Sequence, residues 1–248
     1  MKLVIAHLYP AHLNMYGDRG NVLAMVHRAR CRGIEAEVVP VGPGDALVPE
    51  AVDFVFMGGG QDAQQMLVSD DLARHKADAM RQAAERGVVM LGICGGYQML
   101  GHYYQPYDSD PIPGLGLLDC TTVAGPERFI GNVVVVRPDG STLVGFENHS
   151  GLTTLGHGVV PLGTVKLGKG NNGQDGSEGA VSASGTLYGT YLHGSLLPKN
   201  PSLTDELLGK ALSVRYGEAG QAAMQQPVSP ALQALETSAH QRALALHR

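Results

Sequence analysis

The stretch from Val88 to Leu100 constrains the fold of this chain most strongly, because an apolar run leads directly into a turn of glycines around one cysteine. Strands of a parallel sheet are covered on both faces and therefore show a near-continuous apolar run. Residues 88–93 have that pattern, and the residues after Gly95-Gly96 are suited to the start of a helix. The stretch therefore predicts a strand, a tight turn and a helix, which is the repeating unit of an α/β fold.

Cys94 is the first candidate functional residue, because glycines surround it at the predicted end of a strand. In a nucleophile elbow, small neighbours allow a strained strand-to-helix turn to lift the nucleophile out of the sheet. A thiolate in that position is favoured by the dipole of the helix that follows. The alternative is a structural cysteine beside a flexible turn, since free cysteine often behaves as a small core hydrophobe. The strand-turn-helix setting favours a nucleophile.

The first half of the chain predicts alternating strands and helices. Residues 3–6, 34–41, 52–57 and 88–93 have strand patterns, and residues 21–32 and 61–86 have helical ones. This alternation predicts a mostly parallel, flavodoxin-like sheet flanked by helices, with ligands at the carboxyl ends of the strands.

The second half predicts a different arrangement, because short β runs alternate with glycine-rich turns. These runs cover residues 132–136, 143–146, 163–167 and 180–181, and they predict extra antiparallel strands. Residues 186–192 form the last predicted strand, which runs into His193-Gly194, and a helix follows from Pro201 to Gly217.

We assign residues 1–217 to one α/β domain and residues 218–248 to a C-terminal linker and amphipathic helix. Residues 218–228 are rich in glutamine and alanine, and Ser229-Pro230 opens the helix. Its predicted apolar stripe consists of Leu232, Leu235, Ala239, Ala243 and Leu246. This helix could dock on the body of the chain or on a partner, and a frayed tail is an equal alternative.

Net charge, cysteine spacing and hydropathy argue against several classes of function. The 248 residues carry a net charge of −5, which argues against a nucleic-acid surface. The 3 cysteines have no CxxC spacing, which indicates a reducing compartment. The chain shows no signal-peptide pattern and no apolar run of roughly 20 residues. We expect a cytoplasmic protein, and without a phosphate loop or zinc spacing we expect no cofactor or metal in this chain.

A cysteine nucleophile needs a base and donors for the oxyanion. His193 follows a β run and precedes glycine, which predicts a position at the same sheet edge as Cys94, although a strand-end histidine is often only a surface or core residue. Backbone N–H groups of Gly95 and of Gly59 and Gly60, after the preceding strand, could hold the oxyanion. The alternative for these glycines is a tight turn.

Several motifs together resemble the class I glutamine amidotransferases of the cobyric-acid-synthase-like branch. The motifs are Gly92-Ile-Cys-Gly-Gly-Tyr-Gln98, Gly58-Gly-Gly-Gln-Asp62 and Gly189-Thr-Tyr-Leu-His-Gly194. Further segments are similar to the glutaminase subunits of lipid II isoglutaminyl synthases, namely Asn14–Asn21, Arg128–Asn132, Phe146–His149 and Leu197–Pro201. The resemblance covers residues 1 to about 217.

The resemblance implies a glutaminase of the class I amidotransferase fold. Cys94 would attack the side-chain amide of L-glutamine, His193 would protonate the departing ammonia, and water would hydrolyse the glutamyl thioester. Arg128 matches the family's substrate-binding arginine. The ammonia would pass to a Mur-ligase-like synthetase subunit, MurT, in a heterodimer. That partner, with ATP and Mg, would amidate the D-glutamate of lipid II to D-isoglutamine.

One position departs from the common pattern of class I amidotransferases, in which a glutamate follows the histidine by two residues. Here that position is Ser195, so the acid that orients His193 is not evident. Glu147 or Asp18 could serve, and we favour an acid supplied by the partner chain.

Three alternatives to this function stay open. The chain could serve another acceptor such as a cobyrinate, or act as a hydrolase of γ-glutamyl compounds. It could also be a non-catalytic flavodoxin-like module in which Cys94 senses redox state.

Overall fold

The computed structural model describes residues 1–246. In chain order the strands are β1 (Lys2–Leu8), β2 (Glu35–Val41), β3 (Phe54–Met57), β4 (Val89–Ile93), β5 (Tyr103–Gln105), β6 (Ile112–Pro113), β7 (Cys120–Val136), β8 (Thr142–Leu155), β9 (Val159–Val160), β10 (Gly163–Leu167), β11 (Ser177–Glu178), β12 (Ala180–Ser182) and β13 (Leu187–Thr190). The helices are α1 (Arg19–Cys31), α2 (Asp62–Asp71), α3 (Ala77–Glu85), α4 (Gly95–Leu100), α5 (Leu196–Lys199), α6 (Pro201–Tyr216), α7 (Glu218–Met224) and α8 (Pro230–Ala245).

The main sheet has the strand order β2-β1-β3-β4-β13-β12-β9. The first five of these strands pair in parallel, and β12 and β9 extend the sheet in antiparallel pairs. Every residue of β3 and β4 is buried, as their continuous apolar sequence predicts. The predicted flavodoxin-like sheet is confirmed, and the carboxyl ends of β1, β3, β4 and β13 meet at one edge.

A second sheet carries most of the predicted antiparallel strands, whereas the predicted run 180–181 lies in β12 of the main sheet. Its order is β11-β10-β7-β5-β6, and β8 pairs with β7 in a long ribbon. The sequence predicts only two short pieces of this ribbon, because Gly125, Pro126 and Gly131 interrupt the apolar pattern. The register shifts between Ala124 and Phe129, which displaces the intervening residues from regular pairing. Arg128 lies in this irregular part of the ribbon and lines the same cavity as Cys94, the residue after β4.

Helices cover the sheet in packed groups: α1, α5 and α6 pack on one another, and α2 packs on α4. The helical stretch predicted over residues 61–86 is divided into α2 and α3 by a π-helical turn at Leu72–Lys76. Among residues 1–246, no helix has both the length and the apolar character needed to cross a membrane.

The C-terminal segment differs from its prediction in two respects. The expected linker contains the helix α7, and the half-buried face of α8 includes only Leu232 and Ala243 of the predicted stripe. Leu235 is 70% exposed, whereas Glu236 and His240 face the body. Polar contacts therefore contribute to the docking of this helix, and an apolar pattern alone could not identify them.

The helix α8 forms polar contacts with three other elements, α1, α5 and β8. Glu236 pairs with Arg28 of α1, which also binds Asp205 of α6. His240 Nε2 lies 2.9 Å from the hydroxyl of Thr142 in β8, and Nδ1 lies 2.8 Å from the carbonyl oxygen of Lys199 in α5. The helix is thus docked on the body of its own chain, which is one of the alternatives left open by the sequence.

Candidate active site

The turn between β4 and α4 is a strained elbow centred on Cys94. The cysteine has φ 50° and ψ −104°, a backbone conformation that costs energy for any residue except glycine. A Cβ on Gly92 would lie 2.7 Å from the carbonyl carbon of Gly96, so the turn needs glycine there. The Cys94 N–H donates to the carbonyl oxygen of Thr190 in β13 at 2.8 Å. The structure therefore has a strained strand-to-helix turn at Cys94 at the carboxyl edge of the sheet, and the role of Cys94 as a nucleophile stays a prediction.

His193 lies beside this elbow, held by a backbone bridge to the long ribbon. Its N–H donates to the carbonyl oxygen of Phe146 in β8 at 2.7 Å, and the Phe146 N–H donates back at 3.3 Å. A Cβ placed on Gly59 would lie 2.7 Å from His193 Cε1 and 3.4 Å from Cys94 Cβ. The imidazole and the cysteine thus converge on one glycine, which leaves no room for a larger residue between them.

Asp18 supplies an acid for His193 from within the chain. Its Oδ1 lies 3.4 Å from His193 Nδ1, and its Oδ2 accepts a hydrogen bond from the Gly59 N–H at 2.8 Å. Both side chains are fully buried. Asp18 directly precedes α1, 175 residues before the histidine. A Cys–His–Asp arrangement is therefore complete without a second chain, and an additional acid from a partner stays a prediction.

Glu147, the other internal candidate, has a different role. Its carboxylate accepts hydrogen bonds from the N–H groups of Lys169 and Gly170, at 2.9 and 3.0 Å. It lies 4.0 Å from His149 and is not in contact with His193. Glu147 therefore orders the loop after β10 and does not orient the base.

The electrostatics of the site favour a charged imidazole. Burial by itself lowers the pKa of His193, but attraction to the Cys94 thiolate and the contact with Asp18 outweigh burial and raise the pKa above the usual range. With Nδ1–H directed at Asp18, Nε2 is left for the cysteine, and among residues 1–246 this buried atom has no other partner. The arrangement can therefore hold a protonated imidazole beside Cys94.

The predicted oxyanion donors need one correction. Gly59 donates its N–H to Asp18, so this group is not available for an oxyanion. The Gly59 carbonyl oxygen accepts from the Met15 N–H at 3.2 Å, and because a trans peptide directs its C=O and N–H in opposite directions, the Gly60 N–H points away from Met15. That nitrogen would lie 3.1 Å from a Cβ on Gly95. Gly60 and Gly95 are therefore the pair of donors that this geometry supports.

A cavity of about 500 Å³ opens above Cys94 and His193, and Arg128 lies on its wall. Arg128 Nε donates to Asn148 Oδ1 at 2.7 Å, and Asn148 Nδ2 donates to the Tyr16 hydroxyl at 2.6 Å. Within the described chain the guanidinium forms no ion pair, so its remaining N–H groups are available to an anionic ligand. The structure thus brings Cys94, His193 and Arg128 to one cavity, and their roles there stay predictions.

His149 also lines this cavity, and our sequence reasoning gave it no role. Its ring stacks on Tyr191 at 3.6 Å between centroids, and its Nδ1 lies 2.8 Å from the Gly151 carbonyl oxygen. Burial lowers the pKa of His149 to about 3, so the ring stays neutral beside the charged His193. His149 belongs to the motif Phe146–His149, which is evident in the sequence. The sequence does not indicate that the ring stacks on Tyr191, 42 residues away.

Among residues 1–246, no three histidine, cysteine, aspartate or glutamate side chains are grouped so that they could hold a metal ion. The site itself offers a thiol, an imidazole and backbone N–H groups, which are the groups used in nucleophilic acyl transfer.

Two relatives match over most of the chain. Subunit GatD of the lipid II isoglutaminyl synthase (glutamine-hydrolyzing) of Staphylococcus aureus (strain N315) is 41% identical over 210 residues, which cover 85% of this chain and 84% of the relative. The GatD subunit of Streptococcus pneumoniae (strain ATCC BAA-255 / R6) is 38% identical over 219 residues, covering 88% and 83%.

The fold is also similar to that of solved structures. A glutamine amidotransferase from Thermotoga maritima is 16% identical, with a TM-score of 0.55, and the match covers 99% of this chain and 93% of that chain. This likeness confirms the predicted class I amidotransferase fold. The model of the CobB/CobQ-like glutamine amidotransferase domain matches residues 4–201. With this match over residues 4–201 and the two relatives above, this chain belongs to the CobB/CobQ-like glutamine amidotransferase family.

Proposed function

We propose that this chain hydrolyses L-glutamine to L-glutamate and ammonia through a thioester on Cys94. The observation that carries the proposal is the convergence of Cys94, His193 and Asp18 beneath a cavity that contains Arg128. Such a convergence suits acyl transfer, since it combines a nucleophile, an oriented base and oxyanion donors.

The reaction divides into two steps. The Cys94 thiolate attacks the side-chain amide carbon of glutamine, and the N–H groups of Gly60 and Gly95 stabilise the resulting oxyanion. His193 gives its Nε2 proton to the amide nitrogen, the carbon–nitrogen bond breaks, and ammonia leaves the γ-glutamyl thioester. The neutral imidazole then takes a proton from water as the water attacks the thioester, and glutamate is released with Cys94 as the thiolate.

Arg128 fits the α-carboxylate of the substrate. A guanidinium can bind a carboxylate through two parallel hydrogen bonds, which fixes orientation as well as position. The Asn148–Tyr16 pair restrains Arg128 Nε and leaves the other donors for the ligand. We infer that this contact holds glutamine with its amide directed at Cys94.

We further propose that the ammonia serves peptidoglycan synthesis. The support is the name of the two GatD relatives, which describes each of them as a subunit of lipid II isoglutaminyl synthase. By this proposal the chain forms a heterodimer with a Mur-ligase-like synthetase, MurT, in the cytoplasm. The partner would bind ATP and Mg and amidate D-glutamate of lipid II to D-isoglutamine.

A glutaminase assay tests the proposed chemistry. We expect Cys94→Ala and His193→Ala to abolish glutamate release while circular dichroism shows an unchanged fold. Cys31→Ala is the matched control, because Cys31 is a free cysteine that is exposed, and it should retain full activity. A glutamine analogue that alkylates thiols should modify Cys94, as located by mass spectrometry. Retained turnover in Cys94→Ala would overturn the proposal.

Co-purification tests the proposed partner. If the chain is a synthetase subunit, it should be recovered with a Mur-ligase-like protein, and ammonia-dependent amidation by that complex should survive Cys94→Ala. Recovery with a cobyrinate-amidating protein would instead identify another acceptor, which the CobB/CobQ-like family also allows. Glutaminase activity of the isolated subunit tests the partner-derived acid: full activity without the partner would show that Asp18 suffices.

A further inference from the structure

The substrate cavity contains an unpaired carboxylate as well as an unpaired guanidinium. Free glutamine carries an α-carboxylate and an α-ammonium, and Arg128 can match only the first of these groups. A buried or half-buried ammonium needs an oxygen acceptor, preferably a charged one. This argument rests on the proposed glutaminase function and asks which residue receives the second charge.

Asp62 has the position that this role requires. It begins α2 and lines the cavity two residues after the oxyanion donor Gly60. The hydroxyl of Tyr104, a buried residue of the same cavity, donates to Asp62 Oδ2 at 3.4 Å. Burial, with the nearby Asp62 carboxylate, raises the pKa of Tyr104 to about 12, so this hydroxyl keeps its proton and acts as a donor. Tyr104 therefore restrains one carboxylate oxygen and leaves the other available.

Asp62 is the only carboxylate among the described side chains that line this cavity, and the lining residues Gln61, Gln65 and Ser150 offer only neutral oxygens. Asp18 accepts from Gly59 and faces His193, and Gln98 Oε1 accepts from Gln65 Nε2 at 2.9 Å. The Asn148 side-chain oxygen is occupied by Arg128. Asp62 has no cationic side chain within ion-pair distance in the described chain. Among the described residues that line the cavity, Asp62 therefore offers the one charged acceptor, and it has no counter-charge.

We propose that Asp62 is a specificity-determining residue that binds the α-ammonium of glutamine, with Tyr104 holding its carboxylate in place. Arg128 and Asp62 then recognise the two charges of the amino acid from two different elements, β7 and α2. The site selects an α-amino acid amide over an amide that has a carboxylate alone. Amides of peptides and of uncharged metabolites, which lack one or both charges, are excluded by the same pair.

Binding of two ligands to Cys94→Ala tests this assignment without turnover. The ligands are L-glutamine and glutaramate, which has hydrogen in place of the α-amino group, and calorimetry gives both dissociation constants. We expect Asp62→Asn in this background to weaken glutamine binding about 10- to 100-fold, the usual effect of losing a charge-assisted hydrogen bond. Glutaramate binding should stay unchanged, whereas Arg128→Ala should weaken both ligands. Asp70→Asn, on the same helix and exposed, is the matched control.

The kinetic readout separates selectivity from stability. With Cys94 intact, Asp62→Asn should raise KM for glutamine and leave kcat close to that of the unmodified chain. Tyr104→Phe should also raise KM for glutamine, by a smaller factor. Equal losses for glutamine and glutaramate, or no loss for either, would overturn the role of Asp62. Glutamine binding to Cys94→Ala and turnover by the unmodified chain establish the glutaminase independently, so failure of the two proposals can be told apart.

Discussion

Asp18→Asn is the sharpest test of the active-site geometry, because the substitution keeps the shape of the side chain and removes one acceptor and the charge. The carboxylate contacts both the Gly59 N–H and His193 Nδ1. An asparagine has a single side-chain oxygen, so it can satisfy only one of these two donors. If the oxygen stays with Gly59, the amide NH2 group faces His193 and favours the tautomer that carries its proton on Nε2.

The size of the effect follows from these contacts. Loss of one charge-assisted hydrogen bond costs about 1.5–3 kcal/mol, which corresponds to a decrease of about 10- to 150-fold in kcat. If the imidazole also adopts the wrong tautomer, the decrease approaches about 10⁴-fold, the loss known for a serine protease triad without its aspartate charge. We therefore expect kcat of the complete enzyme to fall by at least tenfold, measured as glutamate release.

The pH profile gives a second readout with a definite sign. Because the pKa of His193 is raised in the folded protein, the imidazolium is present below that pKa and is lost as pH rises through it. Asp18 is one cause of the raised pKa, so Asp18→Asn should move the alkaline limb of the activity profile to lower pH. A merely structural role for Asp18 would not move this limb.

Asp53→Asn is the matched control for this experiment. Asp53 is also a buried aspartate, and its Oδ2 accepts a backbone N–H, that of Val4, at 2.8 Å. It precedes β3 at the end of the sheet away from the elbow, so its loss should lower stability and leave kcat unchanged. The reasoning is refuted if Asp18→Asn keeps kcat within about threefold, less than ~1 kcal/mol in the barrier, with the same alkaline limb.

Two further predictions concern the elbow and the C-terminal helix. Gly95→Val should abolish glutaminase activity, since a Cβ there would lie 3.1 Å from the Gly60 nitrogen and 3.0 Å from Gln65 Cδ, and retained turnover would contradict the assigned oxyanion site. His240→Ala removes two hydrogen bonds of about 1 kcal/mol each, so the midpoint of thermal unfolding should fall by about 4–8 °C. The exposed neighbour Gln241 provides the control, and equal midpoints for His240→Ala and Gln241→Ala would show that the docking contacts contribute nothing.

The sequence predicts the parts of this site that depend on local structure. An apolar run and the glycines next to it predict the strand, the turn and the helix of the cysteine elbow, because these elements depend on neighbouring residues. The position of His193 follows almost as directly, since the carboxyl ends of parallel strands meet at one edge. The parallel order of the first strands is predictable for the same reason.

What the sequence does not predict depends on contacts between distant residues and on the direction of single peptide groups. Asp18 meets His193 across 175 positions, and no periodic pattern links the two. The sequence does not distinguish the three glycines after β3. The contacts of Gly59 with Met15 and Asp18 determine that Gly60, and not Gly59, directs its N–H at the elbow. The orientation of α8 likewise depends on contacts of Glu236 and His240 with residues far away in the sequence.

The docking of α8 also bears on where the catalytic unit ends. The match to the family stops at residue 201, yet α8, further along the chain, contacts α1, α5 and β8. Of these elements, α1 follows Asp18, α5 follows His193, and β8 contains Phe146, which pairs with His193. A chain cut at residue 217 would leave Arg28, which is 4% exposed, with Asp205 alone. The shortest version of this enzyme that keeps its own contacts therefore extends well past the boundary shared with its family, and comparisons of isolated domains should retain that helix.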